Sequence, residues 1–149
     1  MAKIKFGVIR ECKNPPDSRV PFPPKMCRKV LDKYGDSISL SVQRSPNRCF
    51  SDAEYEAQNI NLVDDVSDCD VLFGVKEVPI SNLISNKKFL FFSHTIKAQP
   101  YNSKLLQSII NQNIQLIDYE CLRYKDGKRI IGFGRFAGIV GAHNGLRDY

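Results

Sequence analysis

The sequence predicts an α/β fold of three layers, a mostly parallel sheet with helices on both faces. Two observations carry that expectation. Short apolar, β-branched runs alternate with segments of helical periodicity along the chain, and such alternation gives a parallel sheet. The runs at Val71–Val75 and Lys88–Phe92 also show little polar alternation, as strands covered on both faces require.

The elements follow in order. Ile4–Ile9 reads as the first strand. Residues 11–24 are polar and proline-rich, and Pro23 and Pro24 suit a helix entry because the first-turn N–H groups have no intrahelical partner. Met26, Val30, Leu31 and Tyr34 share one helical face, and Gly35 stops it. Ile38–Val42 alternates as a second strand. Ser51 caps a short helix to about Gln58, with Glu54 at the reciprocal capping position. Val71–Val75 and Lys88–Phe92 are strands three and four. Leu105, Leu106, Ile109 and Ile110 mark a helix from Asn102 to about Asn111, and Ile114–Ile117 is a fifth strand. Asp126-Gly127 is a tight-turn signal between residues 119–125 and 128–133, predicting a hairpin-like excursion. Ala137 to Leu146 is predicted helical despite three glycines.

Composition narrows the function classes. A chain of 149 residues fits one domain. No apolar run approaches the ~20 residues needed to span a bilayer, and the first residues carry no secretory h-region, so no membrane partner and a cytoplasmic setting are expected. The five cysteines are widely spaced with no C-x-x-C pair, which predicts reduced thiols. His143 has no ligand at metal spacing, so no metal is expected. Residues 1–50 carry eleven Lys/Arg against four Asp/Glu. The basic residues form no tract and no nucleic-acid motif, so small anions such as carboxylates explain the charge and no nucleic-acid partner is expected.

In open α/β sheets the working groups gather beyond the carboxyl ends of the strands. Four polar clusters fall there: Arg10-Glu-Cys-Lys13 with Arg19, Lys76-Glu77, Ser93-His-Thr-Ile-Lys97, and Asp118-Tyr-Glu120. Lys76 and His94 close very apolar runs, where burial brings a lysine toward a useful acid–base range. The spacing fits equally a Lys76 paired with Glu77 or Glu120 and a His94 that merely caps the sheet. Gly132-Phe-Gly134-Arg-Phe-Ala-Gly138 has the glycine spacing of a dinucleotide fingerprint. No second strand ending in an acidic residue follows it, so close helix packing through small residues is the preferred reading.

Several segments together resemble the amino-terminal domain of the alanine dehydrogenase, nicotinamide nucleotide transhydrogenase and saccharopine dehydrogenase superfamily. They are Ile9-Arg-Glu-Cys-Lys13 with Arg19, Gly74-Val-Lys-Glu77, Phe91-Phe-Ser-His-Thr-Ile-Lys-Ala-Gln99, Leu116-Ile-Asp-Tyr-Glu120, and Phe133–Gly141 with Gly145-Leu-Arg-Asp-Tyr149. The closest look is to the lysine-forming saccharopine dehydrogenases and lysine–ketoglutarate reductase domains, and it covers essentially the whole chain.

The resemblance implies the substrate domain of a two-domain dehydrogenase. Residues 1–134 would be that domain, and residues 135–149 the start of a helix leading to a Rossmann domain that is absent here and carries NAD or NADP. No cofactor-binding residue is expected in this chain, which alone should be inactive. Family members return to the first domain with a carboxy-terminal segment, so an exposed apolar strip is expected without it. The implied chemistry is reversible reductive amination of a 2-oxo acid by an amine, with saccharopine formation from lysine and 2-oxoglutarate ahead of alanine formation from pyruvate and ammonia. A carboxylate-binding module without catalysis is the third reading.

By the same resemblance, Lys76 and His94 match the acid–base pair, with His94 at the carbinolamine and Lys76 at the amine, or the reverse. Arg19 matches the arginine that holds a substrate carboxylate. Lys13 would assist it or bind Glu77. Glu77 and Glu120 would tune Lys76 or receive a substrate ammonium, and Lys97 and Arg129 are further carboxylate contacts. The loop Asn14-Pro-Pro-Asp-Ser-Arg19 is one residue longer than in the shorter lysine-forming enzymes. Pro21-Phe-Pro-Pro stands where those carry an Ala-Leu-Thr-Pro-like helix entry.

Overall fold

A computed structural model describes residues 2–15 and 17–147. Six strands, β1 (Ile4–Val8), β2 (Ile38–Gln43), β3 (Asn61–Val63), β4 (Val71–Phe73), β5 (Lys88–Phe91) and β6 (Gln115–Asp118), form one sheet in the order β3-β2-β1-β4-β5-β6. Every pairing is parallel. The chain runs outward from β1 to β3, returns beside β1 as β4, and runs outward the other way. The carboxyl ends of β1 and β4 therefore flank a topological switch point, where open α/β sheets leave a crevice.

The two faces carry separate apolar cores. On one, α1 (Pro24–Tyr34) and α2 (Asp52–Glu56) bring Cys27 and Tyr55 against Val8, Leu40 and Val42. On the other, α3 (Ser103–Asn111) lays Leu105 and Ile109 on Leu72, Phe89 and Phe91. This is the three-layer architecture that the alternation predicts. Gly7 permits a close approach: a Cβ there would meet Cys69 Sγ and Leu72 Cδ2 at 2.9 Å each.

Local rules account for the helix ends. Pro23 and Pro24 open α1. Ser51 caps α2 through a complete capping box, its Oγ accepting the Glu54 N–H at 3.3 Å while Glu54 Oε2 accepts the Ser51 N–H at 2.7 Å.

The structure also corrects the reading. The edge strand β3 is missing from it, since three residues carry no readable period. The first strand stops at Val8, the third at Phe73 and the fourth at Phe91, while β6 sits one residue later than expected. α2 ends at Glu56 rather than Gln58, and the left-handed Asn59 lies just beyond. The excursion around Asp126-Gly127 is a single antiparallel bridge, Arg123 to Arg129, with Gly127 at φ 84°.

The last helix, α4 (Gly134–Arg147), is exposed throughout. Apart from the chain neighbours and the helix's own backbone, no atom lies within 4 Å of where a Cβ would stand on Gly132, Gly134, Gly138, Gly141 or Gly145. The expected packing through small residues therefore finds no partner among the described residues. Residues 148 and 149 of the predicted connecting helix, and Pro16 of the proline-rich loop, lie outside the described residues. Beside the last segment a cleft of about 470 Å³ is lined by Phe22, Phe73, Leu90, Phe92, Leu122 and Phe133. No described helix is long and apolar enough to cross a membrane, and all five cysteines are free.

Candidate functional site

The connections after β1, β4, β5 and β6 supply the charged groups, and three linked constellations result. In the first, Glu11 from the loop after β1 accepts the backbone N–H of Val75 at 2.7 Å and of Lys76 at 3.0 Å. This carboxylate fixes the chain where β4 gives way to loop. Burial pushes the Glu11 carboxyl above its usual range, against the pull of the two N–H groups.

Glu77 is gripped from both sides. Lys13 Nζ donates to its Oε2 at 2.5 Å, and His94 Nδ1 lies 2.5 Å from its Oε1. Burial raises the Glu77 carboxyl, but its hydrogen bonds, led by that from Lys13, hold it below the usual range. Lys76 points elsewhere. It lines a polar cleft of about 310 Å³ with Arg10, Glu11, Glu77 and Ser81, and it makes no ion pair among the described residues. The pairings of Lys76 with Glu77 or Glu120 are thus not formed, because His94, Lys97 and Arg129 reach those carboxylates instead.

His94 lies three residues beyond the end of β5. Its backbone is left-handed, φ 56° and ψ 9°, a conformation that costs a residue with a Cβ about 1–2 kcal/mol. That cost persists only where surrounding contacts overdetermine the backbone. The ring lies over Phe92, centroids 6.5 Å apart at 26°.

The second constellation centres on Glu120, whose side chain is 3% exposed. Its Oε1 sits 3.4 Å from Arg129 Nη2 and 3.6 Å from Lys97 Nζ, while Oε2 is buried with no hydrogen-bond partner. The hairpin turn at Gly127 is what returns Arg129 to this carboxylate. An acceptor left open in a buried site favours a donor from outside.

The third holds Arg19, which lies over the Phe133 ring at 4.9 Å. Asp17 Oδ1 accepts from its Nε at 2.8 Å, and Asp17 Oδ2 accepts from Nη2 as well. Hydrogen bonding to Arg19 holds the Asp17 carboxyl down at about 2, with a smaller contribution from the charge of Lys76. The sign follows from linkage: a carboxyl whose folded value lies below its usual 3.8 adds stability above that value and loses it as the pH falls toward about 2. Acid titration of the wild-type chain should therefore show a loss of stability between about pH 4 and 2, part of which disappears in Asp17→Asn. Identical acid profiles for the two would show that the pair contributes nothing.

Of the eight residues singled out in the sequence, Lys13, Glu77 and His94 are joined directly, and Lys76 is attached through Glu11. Lys97, Arg129 and Glu120 form a second group and Arg19 stands in a third. Reading the sequence passed over Glu11, Asp17, Ser93 and Asp118. All four sit within segments already marked, and a polar residue at or just beyond the end of an apolar strand is the one signal that could have found Ser93 and Asp118.

The switch point and the charged groups around it define a parallel α/β domain with a cluster of paired charges beyond its strand ends. The chain belongs to the alanine dehydrogenase/PNT N-terminal domain family, whose model matches residues 7–140. It is 36% identical over 138 residues to an alpha-aminoadipic semialdehyde synthase of Arabidopsis thaliana, covering 91% of this chain and 13% of that protein. With the mitochondrial alpha-aminoadipic semialdehyde synthase of Mus musculus it shares 39% identity over 142 residues, or 95% of this chain and 15% of that protein. The saccharopine dehydrogenase [NAD(+), L-lysine-forming] of Yarrowia lipolytica is 29% identical over 153 residues, covering 99% and 40%. The chain thus spans well under half the length of these relatives. The transhydrogenase of Sinorhizobium meliloti superposes with a TM-score of 0.63 at 17% identity over 80% of this chain and 37% of that one, a likeness of fold.

Proposed function

We propose that this chain is the substrate-binding part of an amino-acid dehydrogenase that reductively aminates a 2-oxo acid with NAD or NADP, and that its substrates are lysine and 2-oxoglutarate. The observation that carries this reading is the chain of contacts Lys13–Glu77–His94 beside Lys76. It joins the His94 imidazole to Glu77, whose chain neighbour Lys76 lines the polar cleft together with it. Adding an amine to a carbonyl and expelling water requires proton transfer at nitrogen and at oxygen, and two such groups divide the tasks. His94 serves the carbinolamine oxygen, and Lys76 the amine. Glu77 orients the imidazole rather than tuning Lys76. The names of the relatives support saccharopine chemistry; the family description supports pyruvate and ammonia as the second reading.

The glycine spacing of Gly132–Gly138 lacks the strand that a dinucleotide fingerprint follows. Gly132–Gly138 follow a lone bridge rather than a sheet strand, and open space surrounds their glycines, so the cofactor would be held by residues outside this stretch. The 149-residue chain alone should then leave reduced nicotinamide untouched.

Arg19 is the candidate for the oxo-acid carboxylate. Its Nε edge is taken by Asp17, which leaves the Nη1 side for a ligand. Arg19→Ala should weaken 2-oxo-acid binding by about 10- to 100-fold, the loss of a charge-assisted hydrogen bond of roughly 1.5–3 kcal/mol. Calorimetric titration checks this, and equal affinities would remove the role. The reading as a whole is tested on the full-length gene product by following oxidation of reduced nicotinamide. Lysine-dependent oxidation with 2-oxoglutarate is the expected result. Activity with pyruvate and ammonia would establish the second reading, and silence with both would overturn the proposal.

A further inference from the structure

We propose that the buried Ser93–Asp118 hydrogen bond is a positioning pair that holds His94 and Glu120 on one frame. Ser93 is fully buried and Asp118 is 7% exposed. Asp118 ends β6, and Ser93 lies two residues beyond the end of the neighbouring β5. Ser93 Oγ donates to Asp118 Oδ2 at 2.5 Å. With its hydrogen so committed, Ser93 Oγ acts only as acceptor toward Thr95, taking the backbone N–H at 3.1 Å and the hydroxyl at 2.7 Å. The Asp118 Oδ1 accepts the backbone N–H of Glu120 at 2.8 Å.

One carboxyl group therefore ties down both loops. Through Oδ2 and Ser93 it pins the residue on each side of His94; through Oδ1 it pins Glu120 itself. This supplies the contacts that keep His94 in its left-handed conformation, from which Nδ1 reaches Glu77. Both side chains are buried and bonded to the loops rather than open to a ligand, so both act through their neighbours. A buried donor or acceptor left without its partner costs more than the bond is worth, which makes the arrangement all-or-none.

The importance of the pair for turnover rests on the functional reading above; its effect on geometry does not. The experiment uses proton NMR of the 149-residue chain, which has only two histidines, His94 and His143, to assign. In the wild type a downfield Nδ1–H signal from His94 bonded to Glu77 is expected. Ser93→Ala and Asp118→Asn should keep the dispersed amide spectrum and the His143 signals yet lose that resonance. Ile109→Val, which loosens the α3 core without touching the pair, should retain it. A folded Ser93→Ala or Asp118→Asn chain with the signal intact overturns the proposal, as does its absence from the wild type.

If neither variant folds, amide exchange in the wild type decides. The N–H groups of Thr95 and Glu120 should be protected, and exchange as fast as that of exposed residues 125–128 overturns the proposal. In the full-length product, Asp118→Asn should lower turnover about 10²-fold, the cost of a small misplacement of a reacting group. Loss of the signal with unchanged turnover would leave the positioning pair standing and remove His94 from the proposed mechanism.

Discussion

Lys76→Met or His94→Asn in the full-length gene product is expected to lower turnover by about 10²–10⁴-fold, the usual contribution of one general acid or base. The structure gives each change a distinct reason. Lys76 stands half-buried over a polar cleft and forms no ion pair among the described residues, so Met fills its stem without stranding a partner. His94→Asn breaks the contact with Glu77 Oε1, but Lys13 remains on Oε2 at 2.5 Å and keeps that carboxylate from being left bare. Asn is also among the residues that tolerate the left-handed backbone of position 94. Both variants should unfold at the wild-type denaturant concentration. Steady-state assay with 2-oxoglutarate and lysine checks the loss, and undiminished rates in both would remove them from the mechanism.

Phe89→Ala is expected to cost the chain about 3–5 kcal/mol, a large share of the roughly 5–15 kcal/mol that holds a domain folded. Phe89 is fully buried between Leu72 and α3, with the edge of Phe91 at a centroid distance of 6.2 Å. The core on that face cannot close around an alanine because the parallel ladder fixes the spacing of β4, β5 and β6. Phe136→Ala provides the contrast: its ring is 66% exposed on α4, and its removal should change stability by no more than about 0.5 kcal/mol. Urea unfolding of the two variants measures both, and equal midpoints would mean that the apolar face on α3 is not the core.

The candidate site was legible in part, and its limits have physical reasons. Lys76, His94 and Glu120 stand out because each is a charged or titratable residue at or just beyond the end of an apolar run, and such ends lie on one side of a parallel sheet; Arg19, in a polar, proline-rich loop, stands out only through the family resemblance. Their partners do not stand out. Glu11 bonds to backbone 64 residues away and Lys13 reaches Glu77 across the same gap. The spacing of residues in one segment carries no record of which residues face them from another.

The edge strand β3 shows the matching limit for the fold. Asn61–Val63 becomes a strand through its ladder with Ser41–Gln43, not through any preference of three residues. By contrast, the capping box at Ser51, the proline entry to α1 and the Gly127 turn were determined by the sequence alone, because each is closed within a few residues and obeys local sterics and hydrogen bonding. Tertiary structure alone decided that Glu77 holds His94 and not Lys76, that Lys97 and Arg129 converge on Glu120, and that Asp118 spans both loops. Those pairings are chosen by the strand order, which places β4 beside β1 and β6 beside β5 only once the whole sheet has formed.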